Sequence, residues 1–253
     1  ETLLVITSGA AVDHEVAIEQ DNIHVVWEDT RDGNFELYYA KFNISGSMLI
    51  NATRLTFNSS FSGFSGVPDI AADKQGNLHV VWSDDRVGSN RLFYRKLDNN
   101  GSTIINDTQV TFAASGQSNL AAIAVDSNGS VHLAWHDTRD ENNEIYYMKL
   151  DNNGSRLVDD KRLTFGSSFS LFAAIALDKE ENVHIVWEDA PEFGNGIYYA
   201  KLRNNGSILI NPKRITSAAS SSFKPGIAID TANNSHIVFE DYRDGGKGEI
   251  YYI

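Results

Sequence analysis

The chain has no cysteine among its 253 residues, which excludes disulfides, thiolate metal sites and a thiol nucleophile, and leaves the redox compartment open. No apolar run approaches the roughly 18 residues that a membrane-crossing helix needs, so no direct membrane insertion is expected. Basic residues are in deficit: 21 Lys and Arg stand against 34 Asp and Glu, a formal charge of −13. That balance argues against nucleic acid or anionic lipid as a partner, since both are recognised through basic patches. Helical periodicity is missing throughout. So are Gly-x-Ser-x-Gly, a phosphate-binding loop and a zinc motif. The chain opens directly on Glu1-Thr2-Leu3-Leu4-Val5, and any targeting segment is expected to have been removed already.

What is present is one unit of about 52 residues, written five times. Its clearest form is Ile-Ala-x-Asp-x-x-x-Asn-x-His-Val-Val-Trp-x-Asp, then Arg-Asp-Gly, a Tyr-Tyr pair, Lys-Leu-Asp-Asn-Asn-Gly-Ser and Arg-Leu-Thr-Phe. The anchor aromatics Trp27, Trp82, Trp135, Trp187 and Phe239 are spaced 55, 53, 52 and 52 residues apart. Each has a histidine three residues before it (His24, His79, His132, His184, His236) and an aspartate two after it (Asp29, Asp84, Asp137, Asp189, Asp241). A period near 40–50 residues with several strands per unit is the mark of propeller blades.

Four strands are expected per repeat. The innermost is short with a central alanine: Val16–Ile18, Ile70–Ala72, Ile123–Val125, Ile175–Leu177 and Ile227–Ile229. The second runs into the anchor, the third carries the aromatic pair, and Asn-Gly turns lead to the fourth. The expectation is an all-β, five-bladed β-propeller of four-stranded antiparallel blades in a single domain, 1–253. The repeats fall at about 9–57, 58–112, 113–165, 166–217, and 218–253 plus 1–8. The fifth repeat stops after its third strand, whereas Leu4–Ser8 resembles the fourth-strand ending Lys213–Ser217. Residues 2–8 are therefore expected to pair with 248–253, closing the ring and covering two sheet edges. The same strand, given to a neighbouring copy, would instead build a filament.

The repeating histidines lie on different blades and cannot converge on one ion; they read as buried imidazoles bonded to a backbone or hydroxyl group of an adjacent strand. His14 and His136 fall outside the repeat, and neither has a second ligand at metal spacing. The hairpin Asp29-Thr30-Arg31-Asp32-Gly33-Asn34-Phe35-Glu36 recurs, and the fourth repeat loses its Arg (Pro191) and its Glu (Gly196) together, which reads as an ion pair across the hairpin. Asp29, Arg31, Asp84, Arg86, Asp137, Arg139, Asp189, Asp241 and Arg243 also form a candidate ligand face, beside Ser/Phe-rich connections such as 57–61 and 165–169. The hairpin does not fit a calcium loop, because Arg31 takes the third ligand position; Asp73, Asp126, Asp178 and Asp230 leave calcium open at another acidic site, and no other cofactor is expected. Glycoside cleavage needs two carboxylates in distinct roles. The prominent acids recur by blade, and the non-recurring Glu141, Asp159, Asp160, Glu180 and Glu192 fall in polar loops, so no catalytic residue is assigned.

Nine Asn-x-Ser/Thr triplets occur, at Asn43, Asn51, Asn58, Asn100, Asn106, Asn128, Asn153, Asn205 and Asn233. Chance composition would give about three. They read either as hairpin chemistry, Asn-Gly-Ser above all, or as acceptors for glycans on an exported protein.

The run Gly-Asn-x-His-Val-Val-Trp-x-Asp-x-Arg-Asp-Gly…Glu-Ile-Tyr-Tyr resembles the blades of secreted β-propeller proteins of bacterial and archaeal surfaces. More distantly it is similar to sialidase-like propellers and the Tol-system propeller. The sialidase Asp-box is absent. The resemblance implies an extracellular or cell-surface module that is structural or adhesive and not an enzyme, with itself, other surface proteins or glycans as partners. The alternatives are a lectin-like propeller and a glycoside hydrolase on a five-bladed scaffold.

Overall fold

A computed structural model describes residues 8–57, 65–190, 194–217, 221–243 and 246–253. All its regular structure is β. The first blade is β1 (Ala11–Glu19), β2 (Asn22–Asp29), β3 (Glu36–Asn43) and β4 (Met48–Arg54); the second is β5 (Ser65–Ala72), β6 (Leu78–Asp84), β7 (Arg91–Leu97) and β8 (Thr103–Gln109). The third is β9 (Ser118–Val125), β10 (Val131–Asp137), β11 (Glu144–Leu150) and β12 (Arg156–Arg162). The fourth is β13 (Ser170–Leu177), β14 (Val183–Asp189), β15 (Gly196–Leu202) and β16 (Ile208–Arg214). The fifth has β17 (Ser222–Ile229), β18 (Ser235–Asp241) and β19 (Glu249–Tyr252) among the described residues. This is the expected five-bladed β-propeller. Residues 2–7, proposed from the sequence to complete blade five, lie outside the described residues, as do Asn58, Pro191 and Glu192.

Strand position explains strand composition. The second strands are apolar on both faces because both faces are covered, and Leu78–Asp84, Val131–Asp137 and Val183–Asp189 are buried at every position. The outer strands alternate exposed and half-buried residues, as an edge with one covered face should. The Asn-Gly turns require glycine twice over: Gly101 has φ +77°, and a Cβ there would come within 2.8 Å of the Tyr39 ring.

The chain packs as two compact units, residues 1–112 with 117–129, and residues 113–116 with 130–253. In the first, β1 lies against β5 and β5 against β9. Its core gathers Val26, Leu37, Tyr39, Leu78, Val80 and Trp82, with a smaller cluster around Trp27. In the second, β13 lies against β10 and β17, and Trp187 and Phe239 centre two clusters.

One expectation needs correction. The innermost strands are eight or nine residues long, not three. The Ala-centred triplet is only their second half. Ahead of it the ladder is broken by a bulge in which two residues face the anchor aromatic: Asp13 and His14 oppose Trp27, Val67 and Pro68 oppose Trp82, Phe172 and Ala173 oppose Trp187, and Lys224 and Pro225 oppose Phe239. The first bulge residue has positive φ in every blade: Asp13 44°, Val67 50°, Leu120 49°, Phe172 52° and Lys224 46°. For a β-branched or bulky side chain that conformation is costly.

Candidate functional site

A feature repeated in every blade serves the blade, so chemistry is to be sought where the backbone repeats and the side chains do not. The bulge meets that description. Its first position reads Asp13, Val67, Leu120, Phe172, Lys224; the residue that follows it reads Glu15, Asp69, Ala122, Ala174, Gly226; and the position after the anchor reads Glu28, Ser83, His136, Glu188, Glu240. Strained backbone and bulges both concentrate where a protein re-aims side chains for function. Blades one and two of the first unit carry four carboxyls here: Asp13, Glu15, Glu28 and Asp69.

Glu28 is 1 % exposed. It accepts the backbone N–H of Val67, which anchors the neighbouring bulge, and shares a side-chain hydrogen bond with Asp13. A hydrogen bond between two carboxyls needs a proton on one of them. Burial, opposed by the Val67 N–H and reinforced by the Asp13 charge, pushes Glu28 up to about 7. Asp69 is half-buried and accepts the N–H groups of Ile70 at 2.7 Å and Ile123 at 2.9 Å. Burial pushes it up to about 7 as well; the Ile123 N–H opposes this and the Glu15 charge adds to it. Glu15 itself remains exposed on β1, and desolvation raises it above the ordinary carboxyl range, with His14 opposing and Asp13 adding to the rise. The result is two exposed acids on one strand, Asp13 and Glu15, each coupled to a less exposed carboxyl that holds its proton near neutrality. Acid–base cleavage of a glycosidic bond requires neighbouring carboxyls that hold their protons to different degrees, and this cluster combines raised carboxyls, Glu15 among them, with the exposed Asp13.

The residues singled out from the repeat occupy other roles. Asp29 is buried and accepts Trp27 Nε1–H at 3.1 Å, the Arg31 backbone N–H at 2.9 Å and Arg31 Nη2 at 2.6 Å. The guanidinium then lies over the Tyr38 ring, 4.2 Å from its centre. Asp84 with Arg86 and Asp137 with Arg139 repeat the arrangement, Arg86 and Arg139 reaching also to Asp107 at 2.9 Å and Asp160 at 2.6 Å. Asp241 holds Arg243 at 2.8 Å and Ser222 at 2.7 Å. Asp189, whose blade lacks the arginine, accepts Ser168 and Ser170 instead, at 2.7 and 2.8 Å.

The ion pair read across the hairpin is a correction. Arg31 pairs with Asp29, whereas Glu36 pairs with Arg54 of β4 at 2.7 Å and with Thr56 at 2.5 Å. In blade four a Cβ on Gly196 would meet the Arg214 guanidinium at 2.4 Å, so the arginine fills the space the glutamate would need. The polar-loop reading of Asp160 also fails, since it binds Arg139 and Arg156. Glu180 accepts Asn233 at 2.6 Å.

The histidines are held inside their blades. Nδ1 of His24, His79, His132 and His184 meets a tyrosine hydroxyl at 2.8–3.0 Å, and burial holds His24 and His79 down at about 4. Asp73 and Asp178 close their turns on Asn77 and Asn182 and accept His79 and His184; Asp230 does the same with Asn234 and His236. Among the described residues no group of three or more His, Asp or Glu converges as a metal cage. Of the acceptor asparagines, Asn51, Asn100, Asn106, Asn128, Asn153 and Asn205 are exposed, while Asn43 and Asn233 are half-buried. No helix among the described residues is long and apolar enough to cross a membrane.

No protein-family model matches the chain, and no curated protein matches it. Solved structures with the same fold do. The chain is similar to an endo-arabinase from Bacteroides thetaiotaomicron, with 12 % identity and a TM-score of 0.56 over 100 % of this chain and 96 % of that one. It is similar to a putative exo-β-1,3-galactanase from Bifidobacterium bifidum at 13 % identity and TM-score 0.60, covering 95 % and 86 %. An α-L-arabinanase from Penicillium chrysogenum, solved with arabinobiose, matches at 10 % identity and TM-score 0.67, covering 96 % and 80 %. At such identities the likeness establishes the fold. It nevertheless overturns the expectation of a non-enzymatic structural or adhesive module: the scaffold is shared with carbohydrate-active enzymes, and the asymmetry whose absence argued against catalysis is present at the bulges.

Proposed function

We propose that the chain is a glycan-cleaving enzyme of the hydrolytic kind, acting at the carboxyls of blades one and two. The observation that carries this reading is the acidic quartet at the strained, repeat-breaking bulge positions. Glu15, exposed and raised, serves as general acid toward the leaving-group oxygen. Asp13, exposed and hydrogen-bonded to Glu28, serves as the carboxylate that activates water or attacks the sugar. Glu28 and Asp69 act as positioning residues, the first by sharing a proton with Asp13 and the second as the less exposed carboxyl beside Glu15. Working on a polymer outside the cell accords with the exposed Asn-Gly-Ser turns, which have room for glycans at Asn100, Asn153 and Asn205.

Reducing-sugar release from soluble arabinan and β-1,3-galactan tests the proposal. Glu15→Gln and Asp13→Asn should each lower the rate by about 10²–10⁴-fold while leaving the melting temperature within a few degrees. Full activity in both variants would remove these residues from the chemistry. An unsaturated, ultraviolet-absorbing product would reassign the reaction to elimination.

A further inference from the structure

Blade five breaks the repeat in a different way. Its bulge carries Lys224 preceded by Phe223, and the third position after its anchor is Tyr242, where the other blades have Thr30, Asp85, Thr138 and Ala190. These residues, with Ser221 and Glu240, line an open surface cavity of about 420 Å³. That volume lies in the range of small-molecule sites. The Phe223 and Tyr242 rings meet edge to face, 5.5 Å between centres and 89° between planes. Gly248 leaves room for the tyrosine, since a Cβ there would come 2.9 Å from its ring. Tyr242 is thus held between the Phe223 ring and the bare backbone of Gly248, yet it is 41 % exposed. Beside it Lys224 Nζ stands 3.8 Å from Glu240 Oε1, and the Lys224 N–H points to Glu188 Oε2 at 3.4 Å.

We propose that this cavity is a binding subsite for a neutral sugar unit. A fixed aromatic face stacks on the C–H side of a sugar ring, and an ammonium beside a carboxylate supplies a donor and an acceptor for adjacent hydroxyls. The charge excludes an anionic sugar as the preferred ligand. Lys224 is balanced by Glu240, Glu188 adds a further carboxyl, and the whole chain carries −13. The strained backbone at Lys224 fits the same reading, because φ 46° costs stability and aims this side chain into the cavity rim. The subsite stands on blade five, with Glu188 of blade four beside it, and does not depend on the catalytic reading of blades one and two.

Titration calorimetry with arabinan oligosaccharides, β-1,3-galacto-oligosaccharides and oligogalacturonate tests it, using Glu15→Gln protein so that any cleavage of the probe is slowed. At least one neutral series should bind, more tightly than oligogalacturonate. Tyr242→Ala should weaken that binding about tenfold or more, about 1.4 kcal/mol, and Lys224→Ala should weaken it as well. If Tyr242→Ala melts early, Tyr242→Leu keeps the bulk and removes the aromatic face. Equal affinity in the tyrosine and lysine variants, preference for oligogalacturonate, or no binding by either neutral series would each overturn the subsite. Loss of binding with cleavage of soluble polymer retained, or the converse, separates failure here from failure of the catalytic proposal.

Discussion

Glu28 is pulled in two directions: the Val67 N–H favours its charge, while burial and Asp13 oppose it, and the opposition prevails. The stability consequence has a definite sign. The folded carboxyl titrates at about 7 against an ordinary 4.5, so between those values the native state holds a proton that the unfolded chain has released. Stability should therefore fall as pH rises through that window, by about 3 kcal/mol at most, and the cost is complete above it. Glu28→Gln keeps a donor for Asp13 and an acceptor for Val67 but cannot ionise. Its melting temperature relative to the parent protein should be more favourable at pH 8 than at pH 5. A difference that does not change with pH would mean Glu28 is not the titrating group. Asp69, raised to about 7 as well, adds to the same trend and is unaffected by the substitution.

At the scale of the element, the bulged inner strand decides what could be read in advance. The second half of each inner strand is Ala-centred, periodic and recognisable five times over. The first half carries Asp13, Val67, Leu120, Phe172 and Lys224 at one backbone position, and no pattern of side chains links them. A strand read from its repetition was therefore cut short ahead of the residues that matter. The signal was available in another form: the position after the anchor, Glu28, Ser83, His136, Glu188 and Glu240, varies inside an otherwise constant run. The hairpin carboxylates are regular for the opposite reason, since they share a structural task, the clasp of tryptophan, aspartate and arginine.

Two stability experiments belong at this scale. Val67→Gly removes a β-branched side chain from φ 50°, and the relief of roughly 1–2 kcal/mol should offset much of the lost packing. Denaturant titration should place it within about 1 kcal/mol of the parent. Trp135→Ala, at an anchor with no exposure, should instead cost about 3–5 kcal/mol. A large loss at Val67 or a small one at Trp135 would invert this view of which positions are scaffold.

For the molecule as a whole, the fold was legible because the same unit recurs at near-constant spacing and each copy names its own strands. Function was not, because repetition hides the few places where copies differ. The acceptor asparagines pose a whole-molecule question that the fold sharpens. Asn100, Asn153 and Asn205 project from exposed turns, whereas Asn233 donates to Glu180 and a glycan there would break that bond. Intact mass and peptide mapping of protein from its native source should find sugar on the first three and none on Asn233. Unmodified asparagines at all four would leave the triplets to turn formation alone.

The bulge in every blade carries one more implication. Blades one, two and five hold polar side chains at or beside it, but blades three and four hold Leu120-Ala121-Ala122 and Phe172-Ala173-Ala174 on backbone of the same conformation. Since the conformation is already established there, new groups can be installed without redesigning the strand. The molecule thus keeps vacant sockets alongside its occupied ones. A lineage built on this unit could migrate its reactive groups from blade to blade, or multiply them, by exchanges at a handful of positions.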